Sequence, residues 1–296
     1  MEKNIQKVIL TMILTALCLT SAHAQLMVSD DGGDGIDGTI EDPKSKPTSL
    51  GELIDYNMAN NSKNGFSAHK ANYILPFTWS NIDDGRDSKE IKFQVSVKQR
   101  LLKFYGWAFF LGYTQKSFWQ AYDRNRSRPF RENNFNPELF LRTRMWFGIR
   151  CDLGLEHESN GRDIPSSRSW NRIYLLPYYE NDRLSVYAKG WYRIGESKKK
   201  NPDSVNGDDN PDIHKYYGYG ELGLRLKFPE LKDFSLSAAG RCNFRHRKGA
   251  VEINAVFPGI ISSMGLMVQY FDGYGESLID YNVRQRKIGV GVSFTK

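Results

Sequence analysis

Ile91-Lys92-Phe93-Gln94-Val95-Ser96-Val97-Lys98 carries an apolar side chain at every odd position and a polar one at every even position. Successive side chains of an extended chain point to opposite faces, so this octapeptide reads as a β-strand with one apolar and one polar face. The same period of two returns along the chain. Leu222, Leu224, Leu226 and Phe228 alternate with Gly223, Arg225 and Lys227. Phe234 to Phe244, Val251 to Phe257, Met264 to Tyr270 and Ile288 to Phe294 repeat it. The pattern predicts twelve strands, near 68–79, 91–102, 105–119, 135–147, 149–159, 170–179, 183–194, 216–228, 233–245, 250–258, 261–271 and 284–295. No amphipathic helix of useful length interrupts them.

The connections alternate between short (103–104, 148, 180–182, 229–232, 259–260) and long (80–90, 120–134, 160–169, 195–215, 272–283), with a short one near 246–249 as a mild exception. Strands of about ten residues in even number, with short turns at one end and longer loops at the other, mark an outer-membrane barrel. A soluble β-sandwich would use strands nearer five or six residues. The expected fold is therefore all-β: a twelve-stranded antiparallel transmembrane β-barrel, its long loops facing outward.

The N-terminus agrees. Lys3 and Lys7 precede an apolar run from Val8 to Leu19, and Ala22-His23-Ala24 supplies small residues where a signal peptidase cuts, before Gln25. Residues 1–24 read as a signal peptide, 25–66 as a flexible periplasmic segment and 67–296 as the barrel. Beyond the leader, no run approaches the roughly 20 apolar residues of a spanning helix. Asp30 to Gly35 lacks the distal Glu of an EF-hand loop. Cys151 and Cys242 fall on distant strands and are expected to be free thiols. The net charge of +7 suits anionic head groups, and with no aromatic-interleaved basic stripe, nucleic acid is not an expected partner.

One segment departs from an inert pore. In the strand at 149–159, His157 and Ser159 share a face with Ile149, Cys151, Leu153 and Leu155, which points at lipid, while Asp152, Gly154, Glu156 and Glu158 point inward. Polar groups on a lipid face cost free energy unless they are hydrogen-bonded and used. On the next strand Asn171 shares a face with Ile173 and Leu175, so the three can meet at one height beside the loop between them. Ser as nucleophile, His as base and Asn as orienting acceptor form a workable triad. A porin or adhesin on the same barrel has no reason to carry that pair. Trp170, next to Asn171, reads as an interface anchor, and Glu276 and Asp280 read as ordering the last loop rather than as catalytic acids.

His157-Glu-Ser159-Asn-Gly-Arg162 followed by Ser167-Arg-Ser-Trp-Asn171-Arg resembles the active-site segment of the bacterial outer-membrane phospholipase A family. Tyr113 to Ser117, Pro129 to Glu132, Asn210 to Ile213 and Gly273 to Asn282 resemble further stretches of it. The resemblance implies hydrolysis of phospholipid and lysophospholipid esters, Ca2+ dependence and activation as a homodimer. By resemblance Ser159 is the nucleophile, His157 the base and Asn171 its partner. The Ser159 backbone amide, helped by calcium-bound water, would form the oxyanion hole. By resemblance, too, Arg162 (through its carbonyl) and Ser167 ligate calcium, and Ser127 comes from the neighbouring subunit. Gln115, on a face with Trp107, Phe109, Leu111 and Tyr113, becomes a dimer-interface group. The family often has an acid two positions after the arginine; here that position is Ile164 and the acid is Asp163, which puts a second calcium site in doubt.

Overall fold

The structure, a computed structural model, describes residues 65–82, 85–201, 204–261 and 264–294. The expected signal peptide and all of segment 25–66 but its last two residues lie outside the described residues, as does Asp30 to Gly35.

Among the described residues thirteen strands form one sheet. They are β1 (Phe66–Ala68), β2 (Tyr73–Ser80), β3 (Lys89–Phe104), β4 (Trp107–Trp119), β5 (Glu132–Arg144), β6 (Arg150–Ser159), β7 (Ser169–Glu180), β8 (Leu184–Ile194), β9 (Gly220–Phe228), β10 (Phe234–Asn243), β11 (Lys248–Ile261), β12 (Met264–Tyr274) and β13 (Arg284–Phe294). From β2 onward neighbours pair antiparallel in chain order, and β13 returns to β2 through Lys287↔Ser80 to Ser293↔Tyr73. Twelve strands thus close a barrel, as the alternation predicts. Closure removes the open edge, so every strand from β2 to β13 has a partner on both sides. Short turns (105–106, 145–149, 181–183, 229–233) gather at one end and the longer loops at the other. Cys151 and Cys242 are free thiols, as expected.

Two local expectations fail. The strand predicted over 68–79 is broken. β1 pairs with β3 at Phe66↔Gln99, the chain then leaves the ladder at His69–Asn72, and β2 resumes on the same edge. In the gap Asn72 replaces backbone: its Oδ1 accepts from Ser96 N at 2.7 Å and its Nδ2 donates to Ser96 O at 3.0 Å. His69 turns into the lumen, fully buried, against Glu138 at 2.7 Å. The strand predicted from 216 begins only at Gly220, because Ile213–Tyr217 forms a short helix, α1, whose Ile213 and Tyr217 pack into the barrel mouth.

The outward face is apolar: Leu153, Leu155, Ile173, Leu175, Leu222 and Leu224 are all exposed. Side chains occupy much of the lumen and leave a cavity lined by Tyr73, Lys116, Tyr187, Lys189 and Arg241. Trp170, Tyr174, Tyr178, Tyr187 and Trp191, with Leu278, form the largely aromatic core of the lumen. Trp170 is fully buried there, which corrects its reading as an interface anchor: with Asn171 facing out, its neighbour must face in. Glu138 accepts from Tyr174 Oη at 2.7 Å and holds Lys70 at 2.7 Å. Gly112 and Gly154 make room for this cluster. A Cβ on Gly112 would stand 2.8 Å from Glu138, and one on Gly154 2.5 Å from the Tyr174 ring. Arg142 grips Asp152 with two bonds of 2.8 and 2.7 Å, both groups fully buried. The last outer loop folds into the mouth, where Glu276 meets Lys92 at 2.8 Å and Asp280 meets Arg131 at 2.7 Å and Arg86 at 3.0 Å. These two acids order the loop, as their reading anticipates.

Breaking one half of a buried charge pair strands the other, at a cost of about 3–5 kcal/mol, whereas replacing both with apolar groups of like size is far less harmful. Arg142→Ala is expected to lower barrel stability by that order and Arg142→Met/Asp152→Leu by much less, read as urea midpoints of the heat-modifiable form.

Candidate active site

β6 and β7 pair in register, His157↔Asn171 and Ser159↔Ser169, at the long-loop end of the barrel. This register brings His157 and Asn171 together: Nδ1 and Oδ1 lie 2.9 Å apart. A side-chain amide oxygen can only accept, so Nδ1 donates here, and in the neutral imidazole Nε2 is then the atom with the lone pair. Leu153 and Leu155 lie exposed on the same face one and two pleats below His157, and Ile173 and Leu175 do the same below Asn171. Glu156 and Glu158 face the lumen instead, Glu156 on Arg172 at 3.0 Å and Lys189 at 2.9 Å, and Glu158 on Arg172 at 2.8 Å and Trp170 Nε1 at 2.9 Å.

The β5–β6 ladder is interrupted beside the histidine. It runs from Arg144↔Arg150 to Glu138↔Glu156 and resumes only at Phe135↔Ser159. Pro137 lies opposite His157 and has no N–H to give. The His157 carbonyl is met instead by Asn136 Nδ2 at 3.0 Å.

The loop between the strands is ordered by Asn160, which is buried. Its Oδ1 accepts from Arg168 N at 2.9 Å, its Nδ2 donates to Ser166 O at 2.9 Å, and its own N–H reaches Arg168 O at 3.0 Å. Arg162 is held by Glu132 at 3.0 Å and by the backbone carbonyl of Arg131. Ser167 Oγ donates to Asp209 at 2.6 Å, and Asp209 also pairs with Lys199 at 2.5 Å. Ser169 N donates to Asn210 Oδ1 at 2.9 Å. The residues that could hold a hard cation are therefore all oxygen donors: the Arg162 carbonyl, to which no hydrogen bond runs among the described residues, and the Ser167 hydroxyl with a carboxylate beside it. That donor chemistry fits calcium. Ser127 lies apart, in the β4–β5 loop, where Trp119 Nε1 donates to its carbonyl at 2.8 Å. Nearby, on the outward face of β4, a polar ladder climbs from Tyr113 to Gln115 (3.1 Å), Ser117 (3.1 Å) and Asn133 (2.7 Å).

Asn136, Asn160, Glu196 and Asp209 are missed by the sequence reading as contributors here. Asn171 Nδ2 donates to Glu196 at 2.9 Å. For Asn160 the signal was available, an Asn directly after a strand and before a Gly, as at many tight turns. Behind the short helix, burial and the hydrogen bond to Asp212 at 2.5 Å push the Tyr281 hydroxyl pKa up, tying the last loop to the segment that carries Asp209 and Asn210.

A hydrogen-bonded His157–Asn171 pair on the lipid face has no use in a pore and suits a membrane-embedded hydrolase. Comparison with known proteins bears this out. The family model described as Phospholipase A1 matches residues 52–294. Phospholipase A1 of Escherichia coli is 36% identical over 282 residues, covering 86% of this chain and 91% of its own. That of Klebsiella pneumoniae is 35% identical over 283 residues, with the same coverage of both chains. The solved outer membrane phospholipase A of Escherichia coli superposes with a TM-score of 0.68 at 35% identity, over 77% of this chain and 98% of its own. The outer membrane phospholipase of Salmonella typhi, solved as a dimer with bound calcium, gives 0.68 at 34% identity, over 80% and 94%. This chain belongs to the phospholipase A1 family. It is an outer-membrane phospholipase, a carboxylic ester hydrolase.

Removing the Asn160 side chain takes away the bonds that hold 160–168. Asn160→Ala is expected to raise protease cleavage within that loop while the barrel keeps its heat-modifiable mobility, checked by limited proteolysis and gel shift.

Proposed function

We propose that the chain hydrolyses acyl esters of phospholipids and lysophospholipids with Ser159, His157 and Asn171, as a calcium-dependent homodimer, with its site toward the outer leaflet. The 2.9 Å contact between His157 Nδ1 and Asn171 on the lipid face, one pleat from Ser159, carries the reading. Asn171 engages Nδ1, which would leave Nε2 to serve the Ser159 hydroxyl. Ser159 Oγ attacks the ester carbonyl carbon as His157 takes its proton. The tetrahedral centre collapses, the C–O bond to the glycerol oxygen breaks, and that oxygen leaves with the proton from His157. Water, deprotonated by His157, then attacks the acyl–Ser159 ester, the acyl C–Oγ bond breaks, Ser159 Oγ recovers the proton from His157 and the fatty acid leaves. Asn171 is neutral, so it sets tautomer and orientation but offers the imidazolium no full charge.

The backbone amide of Ser159 would supply one oxyanion donor. Calcium held by the Arg162 carbonyl and Ser167, with Ser127 of the neighbouring subunit completing the set, would add positive charge beside that oxygen. One barrel offers too few of the six to eight oxygens that calcium takes. The outward ladder through Gln115 suits a barrel-to-barrel contact, where a polar group on a lipid face finds a partner. The Salmonella typhi relative, a dimer with bound calcium, supports this arrangement. The segments 1–24 and 25–66 keep their proposed roles of signal peptide and periplasmic leader.

Ser159→Ala is expected to reduce hydrolysis of micellar phospholipid by more than about a thousandfold with the barrel still folded, and a sulfonyl reagent to label Ser159 in the wild type. Asn171→Ala should cost less, about tenfold to a thousandfold, because nucleophile and base remain. A Ser159→Ala enzyme within tenfold of wild type would sink the assignment.

Chelation of calcium is expected to stop hydrolysis and shift the protein toward monomer, since a ligand that binds the dimer better must stabilise it. Sedimentation in detergent with calcium and with chelator, run beside the activity assay, checks this. A fully active monomer would refute the shared site and leave the serine and histidine roles standing.

A further inference from the structure

Asn171 is nearly buried and both ends of its amide are engaged: Oδ1 faces His157 Nδ1 at 2.9 Å, and Nδ2 donates to Glu196 Oε1 at 2.9 Å. Glu196 lies two residues beyond Ile194, the residue of β8 that pairs with Asn171. It therefore continues the outward face of β8 above the asparagine, at the mouth of the long loop. The segment is pinned there. Ser197 O accepts from Asp208 N at 2.8 Å, and Asp208 is held by Arg193 at 2.6 Å.

We propose that Glu196 is a positioning residue for hydrolysis, the fourth member of a Ser159–His157–Asn171–Glu196 relay. This rests on the triad reading above. A side-chain amide can sit in two orientations differing by a half-turn, and only one presents oxygen to the imidazole. An ionised carboxylate has acceptors only, so it binds the NH2 end and rejects the flipped form. It thereby turns a residue with two orientations into a fixed acceptor. Glu196 also carries the charge that Asn171 lacks. As His157 takes the serine proton, the negative charge behind the amide polarises Asn171 Oδ1 toward the new imidazolium, and hydrogen bonds in such a chain reinforce one another. At a lipid-facing surface, where the effective dielectric constant is low, this attraction is stronger than in water. The charge sits on Glu196, one residue away from the histidine, behind an amide that does not itself take the proton.

The test is kinetic, on micellar phospholipid with calcium, using the full-length protein. Each variant is first checked for heat-modifiable mobility, with Ser159→Ala as the inactive reference. Glu196→Ala is expected to lower kcat by about tenfold to a hundredfold with KM little changed, the loss ordinarily seen when a charged hydrogen-bond partner is removed. Glu196→Gln keeps the size and an acceptor but loses the charge, and should fall between wild type and Glu196→Ala.

The decisive arm is a sign reversal. Asn171→Asp faces one carboxylate with another and should be impaired by about tenfold or more, since like charges at hydrogen-bond distance cannot both stay ionised. In Asn171→Asp/Glu196→Gln the glutamine amide donates to the new aspartate, and kcat should rise back above that of Asn171→Asp. A residue that merely braces the loop gives losses that add. Glu196→Ala at wild-type kcat with Ser159→Ala inactive, or a double variant no better than Asn171→Asp, would overturn this inference alone. An active Ser159→Ala enzyme would overturn the triad and this inference with it.

Discussion

Inside a bilayer a backbone N–H or C=O without a partner costs several kcal/mol, and the chain meets that constraint by pairing β13 with β2. Everything else in the molecule follows from the closure. A closed ladder of extended strands has two faces and no edge, so each residue must choose lumen or lipid. The lumen takes the charges, which pair there: Arg142 with Asp152, Lys92 with Glu276, Glu138 with Lys70. The outer face takes leucine, isoleucine and aromatic side chains. On the outer face Gln115 is bonded along its strand to Ser117, and His157 across strands to Asn171.

The site is thus a product of register. His157 meets Asn171 because β6 and β7 pair at those two residues, and a slip of one position would send one of them into the lumen. Register here is held from the inside. Asp152 and Glu156 of β6 are clamped by Arg142 of β5 and Arg172 of β7, and Tyr174 reaches across to Glu138. Buried ion pairs of this kind contribute little net stability, but each tolerates only one alignment of its strands. The lumen network and the lipid-facing chemistry are two sides of the same ladder.

The strands and the meeting of His157 with Asn171 were legible because both depend on a period of two. The alternation along 149–159 alone puts His157 and Ser159 outside and Glu156 and Glu158 inside, where the structure has them. The same rule, applied to Trp170 through its neighbour Asn171, would have turned that ring inward as well. What stayed hidden depends on partners far along the chain. The break at His69–Asn72 exists because Ser96 and Glu138 receive those side chains. The short helix at Ile213–Tyr217 exists because the barrel mouth buries Ile213 and Tyr217, and Glu196 has meaning only beside Asn171. No spacing within one segment encodes such meetings.

The carboxylate of Glu132 gathers segments that are distant in sequence. It accepts from Asn134 at 2.7 Å on its own strand, from Arg162 at 3.0 Å in the loop beside the triad, and from the backbone of Ile279 at 3.0 Å in the last outer loop. Leu278 adds a bond to Asn134 at 3.1 Å. The final hairpin to be synthesised therefore helps to set the loop that would cradle the cation. Without β12 and β13 in place, that loop loses this support. Closing the barrel and ordering the loop beside His157 and Asn171 are therefore coupled through one carboxylate.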